Sequence, residues 1–156
     1  MEPVEPSVME EKPRPADRPL FDRSFSLRLA WQGLMVGLLT LAAYAFGEYI
    51  LSGPGPADAA ANTMAFATLT FCQLFHAFDV RSEKQSIAHI GLLSNPAMNK
   101  AFLVGAALQL AVLLIPPLQG VFQVCALSAD QWLCVLGLSL TPLAVCEIEK
   151  AVRRGR

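Results

Sequence analysis

The chain has 156 residues, of which 54% are hydrophobic and 16% charged, with a net charge of −1. That length leaves no room for a large soluble domain beside an apolar one, and the near-zero charge gives no reason to expect a nucleic-acid partner. An average soluble domain is roughly 45–50% apolar and 25% charged, so the apolar excess is moderate, and its placement along the chain decides the class.

The opening segment MEPVEPSVMEEKPRPADRP holds five of the eleven prolines. It lacks the basic start and apolar run of a signal peptide and reads as an extended, solvated tail. All twelve Lys and Arg residues fall in three clusters, at residues 12–28, 81–100 and 150–156. No basic residue occurs from Ala30 to Val80 or from Ala101 to Glu149. A bilayer core of about 30 Å takes about 20 apolar residues per helix. Each basic-free stretch therefore predicts two spans and a short turn.

In chain order the expected domain plan is a Pro- and acid-rich cytoplasmic linker tail over 1–26, a transmembrane domain over 27–150, and a basic tail over 151–156. The spans are expected at about 28–51, 60–79, 100–118 and 131–148. The fold class is an all-α membrane protein, a four-helix bundle built from two helical hairpins. The turns near 51–60 and over 119–130 carry no Lys or Arg, so the positive-inside rule predicts both termini in the cytoplasm. Trp31, Tyr49 and Trp132 fall at predicted span ends, where amphipathic rings are favoured.

Within the spans, lipid gives no hydrophobic drive between helices, so small residues and polar groups must hold them together. Gly33 and Gly37, spaced as G-x-x-x-G, open one face of the first span to another helix. The second span carries Thr63, Ala67, Thr70, Gln73, His76 and Ala77 at three- and four-residue steps. An unpaired amide in lipid is costly, so Gln73 is expected to face protein or a polar cavity. Two roles fit it: interhelical hydrogen-bond glue, or a carbonyl oxygen lining an ion route. Pro116 and Pro117 should end the third span, and Pro142 should kink the fourth. In the loop over 79–100, Ser82 and Gln85 have the spacing of a helix cap, and Asn95-Pro96 marks a turn.

Cys72, Cys125, Cys134 and Cys146 lack metal-site spacing and read as small hydrophobes. There is no Gly-rich phosphate loop, no nucleophile with a base at a suitable spacing, and no acid at the centre of a span. No catalytic residue is expected, and no metal ligand beyond Gln73.

Met9-Glu-Glu-Lys-Pro13-Arg14 followed by Pro19-Leu20, then Thr63-Met64-Ala65, then Ser82-Glu83-x-Gln85-Ser86, then Gln131-Trp132-Leu133 with Glu147-Ile148 form an ordered series. In that series the chain resembles the C-terminal transmembrane domain of P-type cation-transporting ATPases of the calcium-pump type, the last four of ten membrane helices. The resemblance implies a part that braces the transport helices and is not catalytically competent alone. The pump's phosphorylation and nucleotide-binding domains, with their ATP and magnesium, would lie elsewhere. It implies partners in the lipid bilayer and in the pump's remaining transmembrane helices and cytoplasmic domains, and a place in the plasma membrane. It also implies that Gln73 can supply one oxygen to a calcium site, where reticulum-type pumps carry a glutamate, and that Gly33, Gly37 and Thr70 serve helix packing. The alternative is a stand-alone small membrane interaction protein derived from a pump.

Overall fold

A computed structural model of the chain describes residues 23–51, 53, 56–79 and 95–154. The linker motifs before residue 23, the Ser82–Gln85 cap and residues 155–156 of the basic tail lie outside the described residues. Among the described residues the chain is all-helical, with α1 at Arg23–Tyr49, α2 at Ala57–Asp79, α3 at Pro96–Leu114, α4 at Pro116–Phe122 and α5 at Ala129–Arg154.

The helix ends follow from local chemistry. After Tyr49, Ile50 N and Leu51 N both donate to Phe46 O, at 3.1 and 2.8 Å, and close the last turn of α1. Asp58 lies in the first turn of α2, where a negative charge suits the helix dipole. Asn95 caps α3, its Oδ1 accepting from Ala97 N and Met98 N at 3.1 and 3.2 Å, with Pro96 at the start, where its missing N–H costs nothing.

The proline pair acts twice. It stops α3 at Leu114, four residues short of the expected span end, because neither proline can donate back. Ile115 is extended at φ −92° and ψ 113°, as a residue before proline prefers. Pro116 then opens α4, so part of the expected turn over 119–130 is helical. Pro117 leaves the carbonyl of Leu113 without its helical donor, and Gln119 Nε2 donates to that oxygen at 2.6 Å. Gln123, left-handed at φ 55°, ends α4.

Four spans in two hairpins describes the chain only coarsely. Among the described residues, α1, α3 and α5 are long and apolar enough to cross a membrane. The 23-residue α2 has the length, but Asn62, Thr63, Thr68, Thr70, Gln73 and His76 dilute its apolar content. Nor do the helices pack as two separate pairs. α2 is the hub: it packs along α1 and α5 and more lightly on α3, while α3 and α5 have little contact.

The reason lies in α2's side chains. Ala60, Ala61, Thr63, Met64, Ala67, Thr68, Phe71 and Cys72 are all buried, and most are small. Met64, Ala67 and Phe71 among them form the core cluster with Ala43 of α1, Leu113 of α3 and Val135 of α5. The outward faces of the apolar helices are the reverse: Leu41, Leu103 and Leu133 are 66%, 65% and 70% exposed. Apolar surface on that scale requires lipid or another protein to cover it.

The α2–α5 seam is polar. Pro142 is buried within α5 and removes the donor for the carbonyl of Leu138, four residues back. The thiol of Cys72 lies 3.9 Å from that oxygen and donates to it. Beside it, Ser139 Oγ donates to Val135 O at 2.6 Å and lies 3.5 Å from Thr68 O. Cys72 thus does more than fill space: it supplies the hydrogen that the proline withholds.

Candidate functional site

The stripe expected along α2 does not stay on one face. Thr63 and Ala67 are fully buried, Thr70 is half-buried, and Gln73 and Ala77 are exposed. For Gln73 the cause is angular: at 100° per residue it stands about 80° around the helix from Thr63, whereas Ala77 returns to within about 40° of Thr63 and lies in the last turn of α2. Each hydroxyl of the stripe is satisfied locally. Thr63 Oγ1 donates to Ala59 O at 2.7 Å and Thr70 Oγ1 to Phe66 O at 3.0 Å. Thr63 Oγ1 also accepts from Cys125 N at 3.0 Å, fastening the segment after α4 to α2. Gln73, by contrast, presents its carboxamide on the outer surface of the helix cluster.

Glycines show a similar division. A Cβ placed on Gly33 or Gly37 would meet nothing within 4 Å, so no described helix approaches that face. The close crossing of α1 and α2 is at Gly47, where a Cβ would stand 2.7 Å from Ala61 Cα. A Cβ on Gly105 of α3 would stand 2.9 Å from Leu74 Cδ2. The G-x-x-x-G spacing points to the open pair and gives no signal for Gly47, which is identified by its neighbours in space.

The two ends of the cluster are tied differently. At the end holding residues 51 and 128, Gln131 is fully buried. Its Nε2 donates to Leu51 O at 3.1 Å and its Oε1 accepts from Ser128 N at 2.9 Å. At the other end Gln32 Nε2 lies 3.6 Å from Cys146 Sγ, joining α1 to α5. There Lys150, only 4% exposed, pairs with Glu147 at 3.3 Å. Among the described residues no three His, Cys, Asp or Glu side chains gather as a metal centre would require.

One polar residue stands out in the structure and not in the sequence motifs. Gln109 of α3 is 5% exposed, and its Nε2 has no hydrogen-bond partner among the described residues. Its signal in the sequence is a single amide inside the apolar run Phe102–Leu114, the same signal that marks Gln73, but without threonines beside it.

The family described as "Cation transporting ATPase, C-terminus" matches residues 1–152. The chain belongs to this family. It is 39% identical to "Calcium-transporting ATPase 1" of Bacillus cereus, over 99% of the chain and 19% of that protein. It is 34% identical to "Calcium-transporting ATPase" of Bacillus subtilis, over 91% of the chain and 16% of that protein. To "Calcium-transporting ATPase type 2C member 1" of Homo sapiens it is 33% identical, over 100% of the chain and 16% of that protein. The chain therefore spans less than one fifth of the length of these relatives. It is an integral membrane domain of the kind found at the C-terminus of cation-transporting ATPases. The open glycine face, the exposed amide and the apolar flanks are the surfaces such a domain can offer to neighbouring helices.

Proposed function

We propose that this domain works as the brace of an ATP-driven calcium pump, and that Gln73 offers one oxygen to the cation route. Membership of the family over residues 1–152 carries the proposal, and two features of the surface support it. Gly33 and Gly37 leave a smooth, uncovered strip on α1. That strip would receive the fifth helix of the pump, with the uncovered amide of Gln73 turned to the transport helices. ATP and magnesium would act on the phosphorylation and nucleotide-binding domains, so the part played here is mechanical and coordinative.

In this arrangement α2 crosses the bilayer beside α1, α3 and α5, as the second of four spans, with both termini in the cytoplasm and the pump in the plasma membrane. α2 crosses despite its polar content because Thr63 and Thr68 are buried away from lipid and Gln73 would be covered by the transport helices. A carboxamide gives calcium an oxygen but no compensating negative charge. We therefore expect the pump to move one calcium ion per cycle.

The first test is the size of the native polypeptide, by immunoblot against the basic tail. A band several times larger than 16.9 kDa supports the pump, and a band of that size supports a separate interaction protein. The second test is Gln73→Glu in the whole pump, read as calcium moved per ATP and as apparent calcium affinity. A change in either is expected. Unchanged values would remove Gln73 from the route.

A further inference from the structure

The contact between α2 and α3 contains an amide with no assigned task. Gln109 is buried, and its Nε2 makes no hydrogen bond among the described residues. Leaving such a group unpaired is costly, and a native protein keeps one where strain, water, an ion or chemistry explains it. Its position narrows the choice.

α2 and α3 run antiparallel. Phe78 and Phe75 meet Phe102, with ring centroids 5.0 and 5.9 Å away, and Leu74 meets Gly105. Farther along, Phe66 meets Phe122 of α4 at 6.4 Å. From the Leu74–Gly105 contact, four residues back along α2 is Thr70 and four residues forward along α3 is Gln109. Steps of four keep to one helix face and advance about 6 Å along the axis. Thr70 and Gln109 therefore face each other at one depth. Gln73 stands one step of three from Thr70, on the exposed flank of the same contact.

A glutamine that serves a cation has a difficulty that a glutamate lacks. One end of its carboxamide is an acceptor oxygen and the other carries two N–H donors. Turned by 180°, it presents the repelling end to the ion. Something must hold the nitrogen if the oxygen is to face outward.

We propose that Gln109 is the positioning residue that orients Gln73. Gln109 Nε2–H donates to Thr70 Oγ1, whose own hydrogen is already given to Phe66 O. Gln109 Oε1 accepts from Gln73 Nε2–H. The chain of bonds then ends at Gln73 Oε1, the free oxygen, aimed at the cation route. Closing it satisfies the orphaned amide of Gln109 and selects one of the two orientations of Gln73. The proposal rests on Gln73 lining that route.

The test uses the intact pump carrying this sequence in proteoliposomes, with ATP-driven calcium uptake measured against free calcium. Gln73→Ala should raise the calcium concentration for half-maximal uptake. Gln109→Met, which keeps the length and loses both polar ends, should raise it about 3- to 10-fold, the value of one hydrogen bond. Thr70→Val should act in the same direction and covers the case in which Gln109→Met fails to fold. The deciding arm is the Gln73→Glu background. A carboxylate presents an oxygen either way round, so Gln109→Met should there change affinity little. An equal loss in both backgrounds, or no loss in either, overturns the positioning role while leaving Gln73 on the route. No effect of Gln73→Ala removes Gln73 itself, and the positioning role with it.

Discussion

The two halves of α1 use glycine in opposite ways. Near its C-terminal end Gly47 is buried against α2, with no space for even a methyl group beside Ala61. Toward its N-terminal end Gly33 and Gly37 lie open, with nothing among the described residues within reach of an added Cβ. The same residue type is thus spent inside the domain at one end and held available at the other. A short motif cannot separate these uses, because both need only a missing side chain. What separates them is which helix lies opposite, and for Gly33 and Gly37 no helix among the described residues does.

Alanine substitutions sharpen the contrast, and their effects should differ in sign. Gly47→Ala forces a methyl into the backbone of α2 and should destabilise the domain by about 1–3 kcal/mol, read as a fall in the detergent denaturation midpoint. Next in size is Gln119→Leu. It strips the side-chain donor from the Leu113 carbonyl and should cost about 1–2 kcal/mol, with faster amide exchange in α4 as the local sign. Cys72→Ala should cost less, about 0.5–1 kcal/mol, because a thiol is a weak donor. Its marker is a change in the α2–α5 crossing, measured by spin-label distances across the pair. Gly33→Ala and Gly37→Ala should leave the domain unharmed, or stabilise it by up to about 1 kcal/mol through helix propensity. If that face receives another helix of a pump as proposed, the same two changes should weaken that assembly. If they destabilise the isolated domain as Gly47→Ala does, the open face is an internal contact and the contrast between the halves collapses.

The two prolines met different solutions to one problem, and they show how much of the fold was legible. Pro117 and Pro142 announce in sequence that a carbonyl will lose its partner. That Gln119, two residues on, would repair the first was within reach of local reasoning. That Cys72, far back in the chain, would repair the second was not, because the pairing depends on α5 lying along α2. The three helices able to cross a membrane fall largely within the stretches that the clustering of Lys and Arg marked out, since the bilayer imposes a length on every crossing helix. The arrangement around α2 was not, because a polar helix in an apolar bundle is placed by the partners of its side chains. Gln73 was visible through the threonines around it, whereas Gln109, alone among leucines and alanines, acquired meaning only from the helix it faces.

The polarity of α2 bears on how the protein is made. Helices leave the ribosome in order and are offered to lipid one at a time, and α2 is the one least suited to accept the offer alone. α1 is available when α2 emerges and can cover the face around Gly47 and Ala61. Cys72 and the backbone carbonyl of Thr68 have their partners on α5, the last of the described helices. In the proposed four-span arrangement, secure insertion of α2 is therefore a late event in biogenesis, and a nascent chain stalled before residue 129 would hold that helix at the translocon, exposed to quality control.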